Sequence, residues 1–131
     1  MCSTRQTWIG TENDTHPIRV IVADDRSCSR DGLRALLATW PDIEVVGEAA
    51  NGRDTLFLIP ACQPDVILMD ARMPVMNGLE ATRVIKGGWP AIKVVILTLY
   101  TSAKEDAIQA GADRFLIKGC SPHELLAALL N

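Results

Sequence analysis

Asp24 with Asp25, Asp70, Thr98 and Lys118 each follow directly on a short apolar run, at residues 18–23, 66–69, 92–97 and 115–117. If those runs are neighbouring strands of one parallel sheet, three carboxylates, a hydroxyl and an ammonium meet beyond the strand ends, where open α/β sheets gather function. Three carboxylates that close repel one another. A hard divalent cation relieves the repulsion, and a few carboxylates with several waters suit the octahedral preference of Mg²⁺. A hydroxyl and a long lysine reaching in from the next two strands then converge on one oxyanion. The chemistry this set can perform is phosphoryl transfer to a carboxylate, in which Asp70 attacks phosphorus, Mg²⁺ neutralises the equatorial oxygens, and Thr98 and Lys118 hold the rest. Aspartate is already ionised at neutral pH, so it needs no general base. Singly, each residue has an ordinary role: a cap for Asp24 and Asp25, a turn former for Asp70, a strand position for Thr98, a solvated surface for Lys118. Their joint placement at four run ends is what argues for chemistry.

The elements that must position these groups are legible in the hydropathy pattern. With a fifth run at 43–46, short continuous apolar stretches alternate with amphipathic ones, the pattern of a parallel sheet buried on both faces by helices. Leu33, Leu36, Leu37 and Trp40 recur at the spacing of one buried helical stripe. Asn51-Gly52 opens a second helix and Gly78 a third, with Pro60 interrupting the second near its end. Ser102 with Glu105 forms a capping-box pattern for a fourth helix that Gly111 stops, and Ser121-Pro122-His123-Glu124 starts a fifth. Right-handed crossovers then favour an α/β fold, a five-stranded parallel doubly wound sheet of flavodoxin-like (βα)₅ topology with strand order 2-1-3-4-5. In that order strands 1 and 3 lie about 4.8 Å apart, which brings Asp24, Asp25 and Asp70 together. Residues 1–17, which end in Pro17 and lack apolar periodicity, read as a tail, with Trp8 and Ile9 able to dock; residues 18–131 read as one domain.

Composition narrows the function classes. The 131 residues are 48% hydrophobic and 22% charged, a globular balance that argues against intrinsic disorder. A net charge of −3 and a pI near 5.3 supply no basic field, so this segment is not expected to bind nucleic acid directly. No apolar run approaches the roughly 20 residues of a membrane-spanning helix, and the start has no signal-peptide core, so a soluble, cytoplasmic protein is expected. Cys2, Cys28, Cys62 and Cys120 lie far apart without zinc-ligand spacing and are expected as free thiols.

The segments 20–25 (VIVADD), 70–78 (DARMPVMNG), 96–98 (ILT) and 111–118 (GADRFLIK) together resemble the receiver domain of two-component response regulators. Segments 30–37 (RDGLRALL) and 43–52 (IEVVGEAANG) are similar in particular to receivers of the NarL/FixJ subfamily, which precede a LuxR-type helix-turn-helix. The resemblance implies that Asp70 accepts a phosphoryl group from a sensor histidine kinase. It implies that Asp25, Asp70 and the main-chain carbonyl of Arg72 bind Mg²⁺ directly, and that Asp24 acts through a metal-bound water. Thr98 and Lys118 would read the phosphoryl group, and Phe115 would be the switch aromatic that turns inward when Thr98 moves. It further implies a phosphoacceptor rather than an enzyme, pairing into a homodimer on phosphorylation, and DNA binding through a downstream domain. Gly119 stands where the family usually has a proline in a cis peptide, which leaves two builds open: a non-proline cis bond or a different turn. Leu99 stands where many receivers have a small residue.

Two other classes share features of this set. An aspartyl-phosphate hydrolase of the haloacid-dehalogenase type wants a second acid two residues after the nucleophile, where this chain has Arg72. A flavodoxin-like cofactor carrier shares the topology, but the acidic cluster would repel a flavin phosphate. An atypical receiver that acts as an interaction module without phosphorylation keeps the fold and is separated only by an assay on Asp70. Arg72 and Tyr100, each two residues past a site residue, are expected to flank the phosphoryl group and exclude water.

Overall fold

In the computed structural model, which describes residues 16–131, the five runs become parallel strands β1 (Ile18–Ala23), β2 (Ile43–Ala49), β3 (Val66–Met69), β4 (Lys93–Thr98) and β5 (Arg114–Ile117), ordered β2-β1-β3-β4-β5. Helices α1 (Ser27–Leu37), α2 (Gly52–Cys62), α3 (Gly78–Gly88), α4 (Lys104–Ala110) and α5 (Pro122–Leu130) connect and follow them. The expected (βα)₅ fold and strand order are both present. The expected tail at residues 1–17, with Trp8, Ile9 and Cys2, lies outside the described residues apart from His16 and Pro17.

The strands are apolar at nearly every position because both faces are covered. Ile21, Ala23, Ile67, Met69, Val94 and Ile96 point into one core with Ile59 of α2, Ile85 of α3 and Ala107 of α4. Val20, Val22, Leu68, Val95 and Leu97 point into a second core with Leu37 of α1 and Leu125 and Leu129 of α5. Each core residue of Leu, Ile or Val size contributes about 1.5–3 kcal/mol of transfer free energy. These layers fix the register: Ala23 lies opposite Met69, Met69 opposite Ile96, and Thr98 opposite Ile117. Asp24, Asp70 and Lys118 are the next residues along, so the sheet delivers them to one edge.

Several local expectations change. Thr98 is the last residue of β4 rather than the residue after it. β2 runs to Ala49, through a register shift against Val20 and Ile21 that leaves Val46 buried. α1 stops at Leu37, the single fully buried member of its expected stripe, and Trp40 packs half-buried from the turn beyond. α2 continues through Pro60 to Cys62, because the buried Ile59 and Cys62 anchor its last turn while Pro60 faces outward. The Ser102 capping box does not form: Ser102 sits inside a 3₁₀ turn (Thr101–Ala103) and Ala103, already helical, precedes α4 without a side-chain cap. Capping boxes form instead at Asn77 with Glu80 for α3 and, as expected, at Ser121 with Glu124 for α5. Gly111 ends α4 with φ of 102°. Among the described residues no peptide is cis, and Gly119 builds the turn after Lys118 with φ of 98°. Cys28 and Cys120 are free thiols, whereas Cys62 is disulfide-bonded, against expectation.

One glycine is dictated by close approach to the loop after β3. A Cβ on Gly78 would fall within 2.0 Å of the Asp70 carbonyl oxygen, so no side chain fits without moving the loop. Gly87, in the last turn of α3, faces open space. Gly78→Ala should therefore lower stability by about 2–3 kcal/mol, as overpacking does, while Gly87→Ala should raise it by about 0.5–1 kcal/mol. Urea denaturation of the two variants checks this, and equal effects would remove the close-approach argument.

Candidate functional site

Beyond the strand ends, backbone hydrogen bonds seat each acidic residue. The Asp24 N–H donates to the Ala49 carbonyl at 3.0 Å and the Asp70 N–H to the Ala23 carbonyl at 2.9 Å, extending both ladders by one rung. Asp24 is buried, and its Oδ1 accepts from the Arg26 N–H at 2.9 Å. Asp70 is 7% exposed, and its Oδ1 accepts a longer bond, 3.3 Å, from the Arg72 N–H. Lys118, whose own N–H donates to the Thr98 carbonyl, places Nζ 2.7 Å from Asp24 Oδ2 and 2.9 Å from Asp70 Oδ2. Burial alone would lower the Lys118 pKa, but the hydrogen bonds and attraction of the two carboxylates outweigh it and hold the ammonium above its ordinary value.

Asp25 differs from its neighbours. It is exposed, and among the described residues its carboxylate makes no hydrogen bond or ion pair. Ligand oxygens of Asp24, Asp25 and Asp70 nonetheless all lie within 4.8 Å of one another. Three carboxylates thus face one ammonium, which leaves two negative charges uncompensated in a partly buried cluster. Such a donor set, oxygen-only and with one uncommitted carboxylate at the surface, fits a hard divalent cation.

The loop from Asp70 to α3 is held by its own geometry. The Met76 N–H donates to the Pro74 carbonyl at 2.7 Å across Val75, whose φ of 69° gives a γ-turn, a strained conformation for a β-branched residue. The Met76 carbonyl in turn accepts from Gly52 N–H at the start of α2, and the Ala71 carbonyl accepts from Gly78 N–H. Sequence reasoning missed the γ-turn, because nothing in the residue types at Val75 marks a positive φ.

Thr98 is fully buried, its hydroxyl oxygen accepting a long bond, 3.4 Å, from the Tyr100 N–H. Tyr100 and Arg72 meet: the guanidinium carbon stands 3.8 Å from the ring centroid. With Asp25, Asp70, Lys118 and Arg26 they line an open cavity of about 380 Å³ over the acidic cluster. Arg72 and Tyr100, expected beside the site, both line this cavity and are joined by a stack that spacing alone did not indicate. Arg26 also lines this cavity and carried no expectation; its position directly after the acidic pair was the available signal. Phe115 stands apart from the carboxylates, half-buried against the α2–α4 core and lining a second cavity of about 600 Å³ with Thr101, Lys104 and Gly119.

Comparisons with known proteins identify the family and the fold. The response regulator receiver domain family matches residues 20–130. The chain is 41% identical to the response regulator protein VraR of Staphylococcus epidermidis over 114 residues, 86% of this chain and 54% of that protein. A DNA-binding response regulator of the LuxR family from Staphylococcus aureus superposes with a TM-score of 0.79 at 30% identity, over 85% of this chain and 94% of that one. The signal receiver domain of the putative response regulator NarL from Mycobacterium tuberculosis gives 0.81 at 33% identity, over 88% and 94%. The chain spans about half the length of the curated relatives it matches.

The Lys118 pair makes stability depend on alkaline pH in a defined direction. A lysine whose folded pKa is raised stabilises fully below its ordinary value of 10.5 and loses that contribution as pH climbs through the higher folded value. In Mg²⁺-free denaturation, the stability gap between the parent and Lys118→Met should be constant from neutral pH up to about pH 10 and shrink above it. A gap that widens with alkaline pH would contradict the pairing.

Proposed function

The chain belongs to the response regulator receiver domain family, and from that membership we propose that it accepts a phosphoryl group on Asp70 from a sensor histidine kinase, in a Mg²⁺-dependent reaction. The observation that carries the reading is the single ammonium of Lys118 held between Asp24 and Asp70 while Asp25 stays uncommitted at the mouth of the cavity. Asp24, Asp25, Asp70 and the main-chain carbonyl of Arg72 would hold the cation, Asp24 through water. Mg²⁺, when bound, supplies charge neutralisation for the phosphoryl oxygens.

The protein's own groups account for the rest. An ionised Asp70 oxygen forms the new bond to phosphorus as the bond to the donor's leaving group breaks, its electron pair departing with that group. No proton need leave Asp70. Lys118 is released from its pairing with Asp70 and turns to the transferred group, and the Thr98 hydroxyl donates to another of its oxygens. That inward movement of Thr98 opens room for Phe115, now half-buried, to pack deeper. Phe has no hydroxyl to desolvate, so its burial costs less than a tyrosine's. In this reading the chain is a phosphoacceptor that assists its own phosphorylation and dephosphorylation rather than an enzyme acting on a separate substrate.

The output follows from the relatives, about half of whose length this chain spans and which are named as transcriptional regulatory or response regulator proteins. We read this chain as the cytoplasmic receiver of a LuxR-type regulator whose DNA contacts lie in another segment. α5 offers the pairing surface. Leu125 and Leu129 are buried under it, while Leu126 is half-buried and Leu130 is 38% exposed. Phosphorylation-dependent dimerisation, lost on Leu126→Glu with Leu130→Glu in sedimentation, tests that surface.

Acetyl phosphate with Mg²⁺ should add one phosphoryl group, acid-stable and base-labile, to the parent and none to Asp70→Asn; mass spectrometry showing the same adduct on the variant would refute the assignment. Mg²⁺ titration should show metal dependence abolished by Asp25→Ala, which deletes a direct ligand, and only weakened by Asp24→Ala; equal affinity in all three proteins would remove the metal assignment. Lifetime should follow the stack: with Arg72→Ala and Tyr100→Ala combined, water reaches the phosphoryl group more readily and dephosphorylation should speed up by about 5-fold or more. An unchanged rate of label loss would show that the pair does not shield the site.

A further inference from the structure

The basic side chains near the acidic cluster are nearly all committed. Lys118 bridges Asp24 and Asp70. Arg30 donates to the Asp24 carbonyl at 2.6 Å and pairs with Glu48, and Arg34 is held by Glu48 and Asp31. Arg72 lies over the Tyr100 ring, which fixes the plane of its guanidinium without using its N–H donors for an ion pair. Arg26 alone is different. It is exposed, it lines the cavity over Asp70, and among the described residues its guanidinium has no hydrogen bond and no ion pair. Its backbone is pinned by the Asp24 carboxylate, so its Cα is fixed at the cavity mouth while its side chain is free to reach inward.

Charge balance gives this arginine a use. The three carboxylates and Lys118 leave two negative charges, which one divalent cation would cancel. An incoming phosphodonor with two negative charges then meets a neutral cluster and finds its compensation at the rim, where Arg26 and Arg72 supply two guanidinium groups. Guanidinium suits this role, since its planar donors match phosphoryl oxygens in pairs.

We propose that Arg26 is a donor-binding residue: with Arg72 it receives the phosphoryl group of the incoming donor at the cavity mouth and favours dianionic donors over monoanionic ones. The inference rests on Asp70 being the acceptor and adds which donors the cavity prefers. As the donor's bond from phosphorus to its leaving group breaks, P–O in acetyl phosphate and P–N in phosphoramidate or a phosphohistidine, that group departs with the electron pair, the phosphoryl group passes to Asp70, and Arg26 is released from it.

The test uses the intact chain with Mg²⁺ at pH 7 and two donors, acetyl phosphate, a dianion, and phosphoramidate, a net monoanion. Initial phosphorylation rates are followed across donor concentration for the parent, Arg26→Gln, Arg26→Lys and a control arginine that does not line this cavity, Arg53→Gln. Arg26→Gln should raise the half-saturating acetyl phosphate by about 5- to 10-fold and that of phosphoramidate by only about 2- to 3-fold. Arg26→Lys should recover most of the loss and Arg53→Gln should match the parent. Without donor, Arg26→Gln should bind Mg²⁺ about 2-fold more tightly, because a cation beside the ligands has gone. Unchanged half-saturation, an equal shift for both donors, or weaker Mg²⁺ binding overturns the proposal while leaving Asp70 as acceptor. A parent that takes no phosphoryl group on Asp70 removes the acceptor reading and this inference together.

Discussion

The site depends on one ammonium group between two carboxylates. Lys118 Nζ touches both Asp24 and Asp70, and the two acids are adjacent because β1 and β3 are in register up to Ala23 and Met69. Without that cation the sheet edge would gather three like charges with nothing to oppose them, and the fold would carry the repulsion. With it, two of the acids are partly compensated and Asp25 is left for other business. The pair is not simply a stabilising device. A buried ion pair roughly offsets its own desolvation. What it adds is a defined geometry that a competing oxyanion or cation can rearrange.

The rest of the structure serves that register. Two apolar cores clamp the sheet from both faces, and the residues that end the strands inherit their positions from side chains several residues earlier. Loop backbone then refines the placement: the strained γ-turn at Val75 and the close approach of Gly78 to the Asp70 carbonyl leave the loop after Asp70 little freedom. Strain held at such a place is sustained by the packing around it. The Met76–Gly52 hydrogen bond ties that loop to α2, so the surroundings of Asp70 are braced from two helices.

Much of this was legible in the residues themselves. Continuous apolar runs in alternation with amphipathic stretches identify a doubly wound parallel sheet, and the strand-end rule then singles out Asp24, Asp25, Asp70, Thr98 and Lys118 without knowledge of any coordinate. What was not legible depends on contacts between distant segments. Ser102 has the residue types of a cap, but burial of Ala103 draws the preceding turn into a 3₁₀ conformation in which Ser102 cannot act as one. Pro60 breaks helices in isolation, yet the flanking Ile59 and Cys62 are buried firmly enough to carry α2 past it. Arg72 and Tyr100 were placed near the site by spacing, whereas their stacking required the loops after β3 and β4 to converge.

The order β2-β1-β3-β4-β5 has one more consequence, at its margins. An open sheet ends in two strands with unpaired backbone groups, which invite another chain to add on and aggregate. Here β5 is only four residues long and starts with an exposed arginine, Arg114, while β2 carries Glu44 and Glu48 and a register shift that twists it. Short length, charge and irregular pairing are the features that discourage strand-to-strand addition. Among the described residues both rims are therefore poor templates for polymerisation, which leaves the helical faces as the surfaces better suited to a meeting of two copies.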